Sequence, residues 1–473
     1  MKKLGLIAKK TAALLLVATL VAGSLSGCEY DSVDDYLEAR GMKDQPDDSE
    51  GSILEPIEGT EVSPSESTAS DSELQLPTDL ISEEESLESV EQSGPADEEF
   101  SSEYKEPSEA DDAVKKARAD VGLTEEGVQE LKKQQQGLYA YERLTDSGKN
   151  LYVEMLAILQ NMGTDVTVST TSDEAIELVF EYVMADHPEI FYVDGYQYTN
   201  YSVGDVITRV SFTGNYLYSQ DEVNRRQSRI NEEVNKCLAG APSSEDDFYV
   251  IKYVYEYLIS NTDYDVNAED NQNICSVFLN KASVCNGYAK AAQLLLNKLG
   301  VQCTLVTGTV NTRTSTGVRH AWNLVLCNNA YYFLDVTWGD SSYQTASGES
   351  ADASRLPEVN YDYLNVSTSE IGRTHVIADI IAMPLCNSMV DNYYVRENEY
   401  FTNDELSLVK DLFDRRYSEG SNNVTIKCAT DEIYDSLFNK LVTERNVFEY
   451  LQGDTSQVSY TAFKETRTIM FWI

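Results

Sequence analysis

Residues 320–327 and 330–337 are two strand-like runs, rich in Val, Leu, Phe, Tyr and Trp, separated by Asn328-Asn329. Asparagine tolerates positive φ, so this pair suits a two-residue hairpin turn. Such a turn sets the register: His320 opposite Thr337 and Trp322 opposite Asp335. Side chains alternate with period two, so His320 and Asp335 share a face as diagonal neighbours, roughly 7–8 Å apart at the backbone. A slip of one residue would separate them. Upstream, Cys285 opens a helical stretch through Ala289, Ala291, Ala292, Leu294, Leu295 and Leu296 that stops at Gly300. A helix carrying a thiol is thus followed by a hairpin carrying an imidazole and a carboxylate.

Those groups are the parts of a thiol acyl-transfer site, in which a base activates the nucleophile and an acid orients the base. At a helix N-terminus, unpaired N–H groups and the dipole favour the thiolate of Cys285. The same N–H groups can bind the oxyanion formed when that thiolate attacks a carbonyl. Gly287, with no side chain, is expected to let a substrate approach closely.

Ser283-Val284-Cys285-Asn286-Gly287-Tyr288-Ala289, Arg319-His320-Ala321-Trp322-Asn323 and Leu334-Asp335-Val336-Thr337-Trp338 together resemble the transglutaminase-like superfamily, with its papain-like core. The resemblance is specific over about residues 250–340. It extends weakly to Asp186-His187-Pro188-Glu189-Ile190-Phe191-Tyr192-Val193-Asp194, which is similar to bacterial surface proteins of this type. It implies Cys285 as nucleophile, His320 as general base and acid, and Asp335 as orienting carboxylate. It also implies Trp322, Asn323 and Trp338 as accompanying aromatic and amide positions and, with Gly287, as substrate-cleft candidates. Val284 before the cysteine and the compact spacings depart from the animal transglutaminases. No acidic loop has calcium-ligand spacing, and no CxxC pair or His-rich cluster suggests zinc, so no metal or other cofactor is expected.

The N-terminus reads as an export signal. Lys2, Lys3, Lys9 and Lys10 precede an apolar run from Thr11 to Gly23, and then come Leu25-Ser26-Gly27-Cys28. Those four residues resemble a bacterial lipobox, which implies cleavage before Cys28 and its lipidation. The run is too short for a comfortable transmembrane helix. From Glu29 to Asp112 there are 29 Asp and Glu against three Lys and Arg, with frequent Ser and Pro. This segment reads as a disordered, self-repelling tether, with a span of roughly 50 Å or more. It supplies over half of the net charge of −44, a balance that argues against nucleic acid and anionic membrane surfaces as direct partners.

The remainder is expected to be α+β. Residues 1–27 are the signal, 28–112 the linker and 113–244 an α+β N-terminal region. A transglutaminase-like catalytic domain follows at 245–385, and a small α/β region at 386–473. Leu151, Met155 and Ile158 recur at helical spacing, and Thr171-Ser172-Asp173-Glu174 reads as a capping box. Strands are expected at 189–199, 205–218, 423–429 and 457–473, and helices at 220–239, 245–259 and 431–445. Cys303 and Cys327 would face each other if Val310 paired with His320. Separate buried thiols are the simpler reading of the cysteines. His187 and His375 are read as helix-terminal or surface residues.

The chain is therefore expected to be an extracytoplasmic, lipid-anchored thiol acyl-transfer enzyme. Its substrate would be a peptide or protein, including one linked to the cell wall. It would act on peptide or glutamine amides, as a peptidase or amidase, or as a crosslinking enzyme. The alternative is a non-catalytic binding or adhesion module that uses the same cleft.

Overall fold

The computed structural model describes residues 16–24, 52–54, 112–203, 206–311, 317–340, 357–453 and 456–473. Cys28, the expected lipidation site, lies outside the described residues, as do most of the expected signal and linker. Two short pieces of those regions are described as backbone, β1 (Leu16–Ser24) and β2 (Ser52–Leu54). The chain divides into two units. One comprises residues 1–26, 93–231 and 379–382; the other comprises 27–92, 232–378 and 383–473.

The first unit packs helices on an antiparallel sheet. Helices α1 (Asp112–Asp120), α2 (Glu125–Gln135) and α3 (Asp146–Gln160) lead to β3 (Val166–Val168) and α4 (Asp173–Asp186). Strands β4 (Val193–Val203) and β5 (Val206–Tyr216) then form a long hairpin. The sheet order is β1-β4-β5-β3. Leu151, Met155 and Ile158 of α3 are buried, as their spacing predicts. The cap of α4 is Ser172, whose Oγ accepts from Ala175 N, one residue beyond the Thr171 that opens the expected capping box. Both residues are competent caps, and only backbone geometry separates them.

In the second unit, helix α5 (Gln220–Gly240), which begins in the first, is followed by α6 (Asp247–Asn261). The two-residue strands β6 (Asp263–Tyr264) and β7 (Ala282–Ser283) pair in parallel and deliver the chain to α7 (Cys285–Lys298). Helix α7 ends as the sequence predicts, with Gly300 at φ +88°, a conformation open to glycine at no steric cost. It packs on a sheet of β8 (Cys303–Val310), β9 (Val318–Cys327), β10 (Ala330–Leu334) and β11 (His375–Ile377), in the order β10-β9-β8-β11. Asn328 and Asn329 have φ of 47° and 71° and form the expected turn. The ladder runs from Ala330↔Cys327 to Leu334↔Asn323. It stops one pair short of Trp322–Asp335, because Asp335 leaves the strand to cap a short helix, α8 (Val336–Gly339).

Val310 pairs with Val318 rather than His320, and Cys303 pairs with Val325, so the suggested Cys303–Cys327 facing is not realised. Cys237, Cys275, Cys303, Cys327, Cys386 and Cys428 are buried free thiols. The C-terminal part forms a five-stranded sheet of order β12-β13-β15-β14-β2. It is built from β12 (Tyr400–Phe401), β13 (Asn423–Cys428), β14 (Val458–Phe463) and β15 (Thr468–Trp472). Only β12 and β13 pair in parallel, so the sheet is mainly antiparallel. Helix α9 (Leu406–Ser418), which the sequence reading missed, and α10 (Asp431–Phe438) cover it.

Candidate active site

Cys285 is the first residue of α7 and is buried. Val284 before it is extended and offers no side-chain cap, so the first N–H groups of the helix are not taken up by a capping side chain. The helix is fixed at both faces. Tyr288 Oη donates to Thr262 O at 2.7 Å and contacts Asp340 Oδ2 at 2.8 Å. Asn323 Nδ2 donates from β9 to Ala289 O at 3.0 Å and to Thr304 O at 3.3 Å. Asn323 is therefore a tie between the helix and the sheet, not the cleft residue expected from the motif. Gly287 is also not a cleft residue. A Cβ there would lie 2.0 Å from Ser283 Oγ and 2.7 Å from Ser276 Oγ, so the glycine is required by the buried Ser276–Ser283 hydroxyl pair.

His320 and Asp335 meet, with Nε2 and Oδ2 2.7 Å apart and both side chains fully buried. With its Nε2–H given to the carboxylate, His320 presents Nδ1, which is buried and has no hydrogen-bond partner among the described residues. The lone pair of an imidazole held in this way is available to take a proton. Trp322 stacks beside the ring at 5.9 Å between centroids, and Trp338 lies at 5.8 Å. These two tryptophans wall the imidazole instead of facing solvent.

Asp335 accepts four hydrogen bonds. Oδ1 takes Thr337 N at 2.9 Å and Trp338 N at 3.1 Å, as the cap of α8. Oδ2 takes His320 and also His375, whose Nε2 lies 3.1 Å away. Burial opposes ionisation of this carboxyl. The charge of His320 and hydrogen bonds from both imidazoles outweigh burial and hold the group well below the usual carboxylate range.

His375 is thus not a surface residue. It sits on β11, buried, with Nδ1 2.8 Å from Thr374 Oγ1. Nothing in the local pattern of residues 371–378 marks it, since the contact spans 40 residues. Its being one of only three histidines was the available signal. His187 does cap a helix, α4, with its ring nitrogens against Glu189 Oε1 and Gln135 Oε1. The donor atoms of His320, Asp335 and His375 lie within 4.8 Å of one another, close enough to suggest a metal site. Both imidazoles direct Nε2 at the same carboxylate oxygen at hydrogen-bond distances, which identifies N–H···O bonds.

The arrangement can hold an imidazole in one tautomer and stabilise its charged form, on the sheet that packs against α7, whose first residue, Cys285, is disulfide-bonded in this structure. The chain is similar to the crystal structure of a TGase, 16% identical, with a TM-score of 0.22, covering 31% of this chain and 44% of that one. Another, from Cytophaga hutchinsonii, is described as a candidate cysteine protease; it is 12% identical, with a TM-score of 0.21, covering 31% of this chain and 58% of that one. The matched region thus spans about half the length of each. No curated protein matches the chain. Residues 236–336 match the family model described as Transglutaminase-like superfamily, and the chain carries a domain of that superfamily there.

Proposed function

We propose that this domain is a thiol acyl-transfer enzyme acting on peptide or glutamine amides, held at the extracytoplasmic face of a bacterial membrane by lipid on Cys28. The observation that carries the chemistry is the His320–Asp335 hydrogen bond, with Nδ1 of the fully buried imidazole left without a partner among the described residues. In the reaction, Cys285, released from its disulfide by exchange with an external thiol, gives its Sγ proton to His320 Nδ1 and attacks the amide carbonyl. The oxyanion is stabilised by N–H groups at the start of α7. His320 then protonates the leaving amine, and a thioester remains on Cys285. Water resolves it to an acid, with His320 taking the water's proton, or a primary amine resolves it to a new amide.

The other thiols are poor competitors. Burial pushes Cys237 up to about 11 and Cys386 and Cys428 up to about 12. The test is mass spectrometry of the full chain, reduced with a small thiol, incubated with cell-wall peptides and with a glutamine peptide plus a primary amine. An acyl adduct on Cys285 that is lost in Cys285→Ala supports the enzyme. The product, free acid or new amide, decides between hydrolysis and crosslinking. Absence of any adduct overturns the enzyme and leaves the binding module. For the anchor, Cys28→Ala should release the protein from membranes, and an unmodified N-terminus beyond Cys28 in membrane-bound protein would reject lipidation.

A further inference from the structure

We propose that His375 is a positioning residue of this site, which acts through Asp335 Oδ2 to set how strongly that carboxylate holds His320. The assignment rests on the reading of His320 as the base. Three observations support it. First, the two imidazoles come from strands on opposite sides of β8, yet both direct Nε2 at one oxygen, at 2.7 and 3.1 Å. Second, the fold makes room for this convergence. Gly308 of β8 lies opposite His320, and a Cβ there would come within 2.1 Å of Val376 O and 2.8 Å of Trp322 Cη2. Third, His375 is held in place on every side that matters. Its ring packs at 4.9 Å from both Trp322 and Trp338 and at 5.4 Å from His320, and Thr374 Oγ1 engages Nδ1.

A phenyl ring would fill the same aromatic cage without desolvating two nitrogens. A histidine there adds something packing does not need, an N–H donor to the carboxylate that His320 uses. An acceptor oxygen shared between two donors gives less to each. The second donor therefore lets His320 release its proton to a leaving group more readily than a lone carboxylate partner would. The ionisable groups around the pair are Asp335 itself, Tyr255 of α6 and Tyr363, which precedes β11 in the chain.

The chain has three histidines, so the His320 ring is resolvable by NMR of the full-length protein labelled with 15N-histidine. His375→Phe keeps the volume and removes the donor. His375→Gln keeps an N–H donor without an imidazole. In His375→Phe the imidazolium-to-imidazole transition of His320 should move to higher pH, by about one unit, and His375→Gln should restore it. Thr374→Val, a milder change, should move it in the same direction by less, and serves if the Phe variant does not fold. The basic limb of Cys285 acylation should follow. If the His320 transition superimposes on the wild type in folded variants and only thermal stability falls, His375 merely packs and the proposal fails. Loss of acylation with the histidine coupling intact would instead reject the enzyme reading alone.

Discussion

Two buried carboxylates, one in the candidate site and one in the C-terminal region, have opposite acidities. Asp335 is held well below the usual range, whereas Glu399 is pushed up to about 7. Burial is the largest influence on each and raises both. The difference lies in the partners. Asp335 has four donors at 2.7–3.1 Å, two of them imidazoles. Glu399 faces Arg415 and Arg416 at 3.8 and 3.7 Å, beyond good hydrogen-bond length, with Glu397 and Glu419 adding repulsion. Short, directed donors offset desolvation; nearby charge at a looser distance does not. Asp186 in the first unit shows that short donors must also be able to carry charge. It accepts from two backbone N–H groups and Tyr152, all neutral, and its carboxyl is still raised by burial.

Breaking the Asp335 end of this contrast should have the largest effect. Asp335→Asn should cut Cys285 acylation by roughly 10²–10⁴-fold and cost about 3–5 kcal/mol at pH 7, because an amide cannot compensate two buried imidazoles. The sign with pH follows from the depressed folded value. The stabilisation is complete above about pH 4 and fades as pH falls below it. The stability gap between wild type and variant in urea denaturation should therefore narrow as pH falls from 4 toward 2; a gap that stays constant with pH would refute the charge account.

A short buried pair also ties the C-terminal sheet to the segment before it, Lys427 Nζ to Asp362 Oδ1 at 3.1 Å, with Thr468 Oγ1 donating to the same oxygen. If donor distance is what matters, Lys427→Met should cost about 3–5 kcal/mol by leaving Asp362 without its charged partner. A loss under 1 kcal/mol by thermal or chemical denaturation would show that proximity alone is not decisive.

Glu399→Gln tests the opposite end and should stabilise. A carboxyl with a raised folded value favours the native state most at low pH and loses that advantage as pH rises through about 7. The glutamine variant should match wild type near pH 4 and exceed it by roughly 2–3 kcal/mol at pH 9. Equal stability at both pH values would mean that the arginines compensate fully. The smallest effect is expected at the hairpin: Asn329→Gly keeps the positive φ of 71° and should change stability by under about 0.5 kcal/mol, whereas Asn329→Val should cost about 1–2 kcal/mol.

The local devices of the site were legible in the sequence. The start of α7 at Cys285, its stop at Gly300, the Asn328-Asn329 turn and the register that brings His320 near Asp335 all follow from spacing and turn chemistry within a few residues. Where two neighbours were equally able, as with Thr171 and Ser172, the reading missed by one. Gly287 was misread because the sequence shows that a side chain is absent but not what occupies its place, here the Ser276 and Ser283 hydroxyls. Asn323 was misread for a similar reason: its amide is used by the Ala289 and Thr304 carbonyls, which belong to other elements.

By itself, then, the sequence determined the order thiol, imidazole, carboxylate and the elements that carry them, because helix and hairpin signals act over one or two turns of chain. Only the tertiary structure decided the state of the carboxylate. His375 reaches Asp335 from 40 residues away, through the pairing of β11 with β8 and the space left by Gly308. No periodicity records that approach, since it depends on which strand lies next to which and on how closely two backbones can pass. Burial, which raises both Asp335 and Glu399 until their partners answer it, is likewise a property of the packed chain and not of any short segment of it.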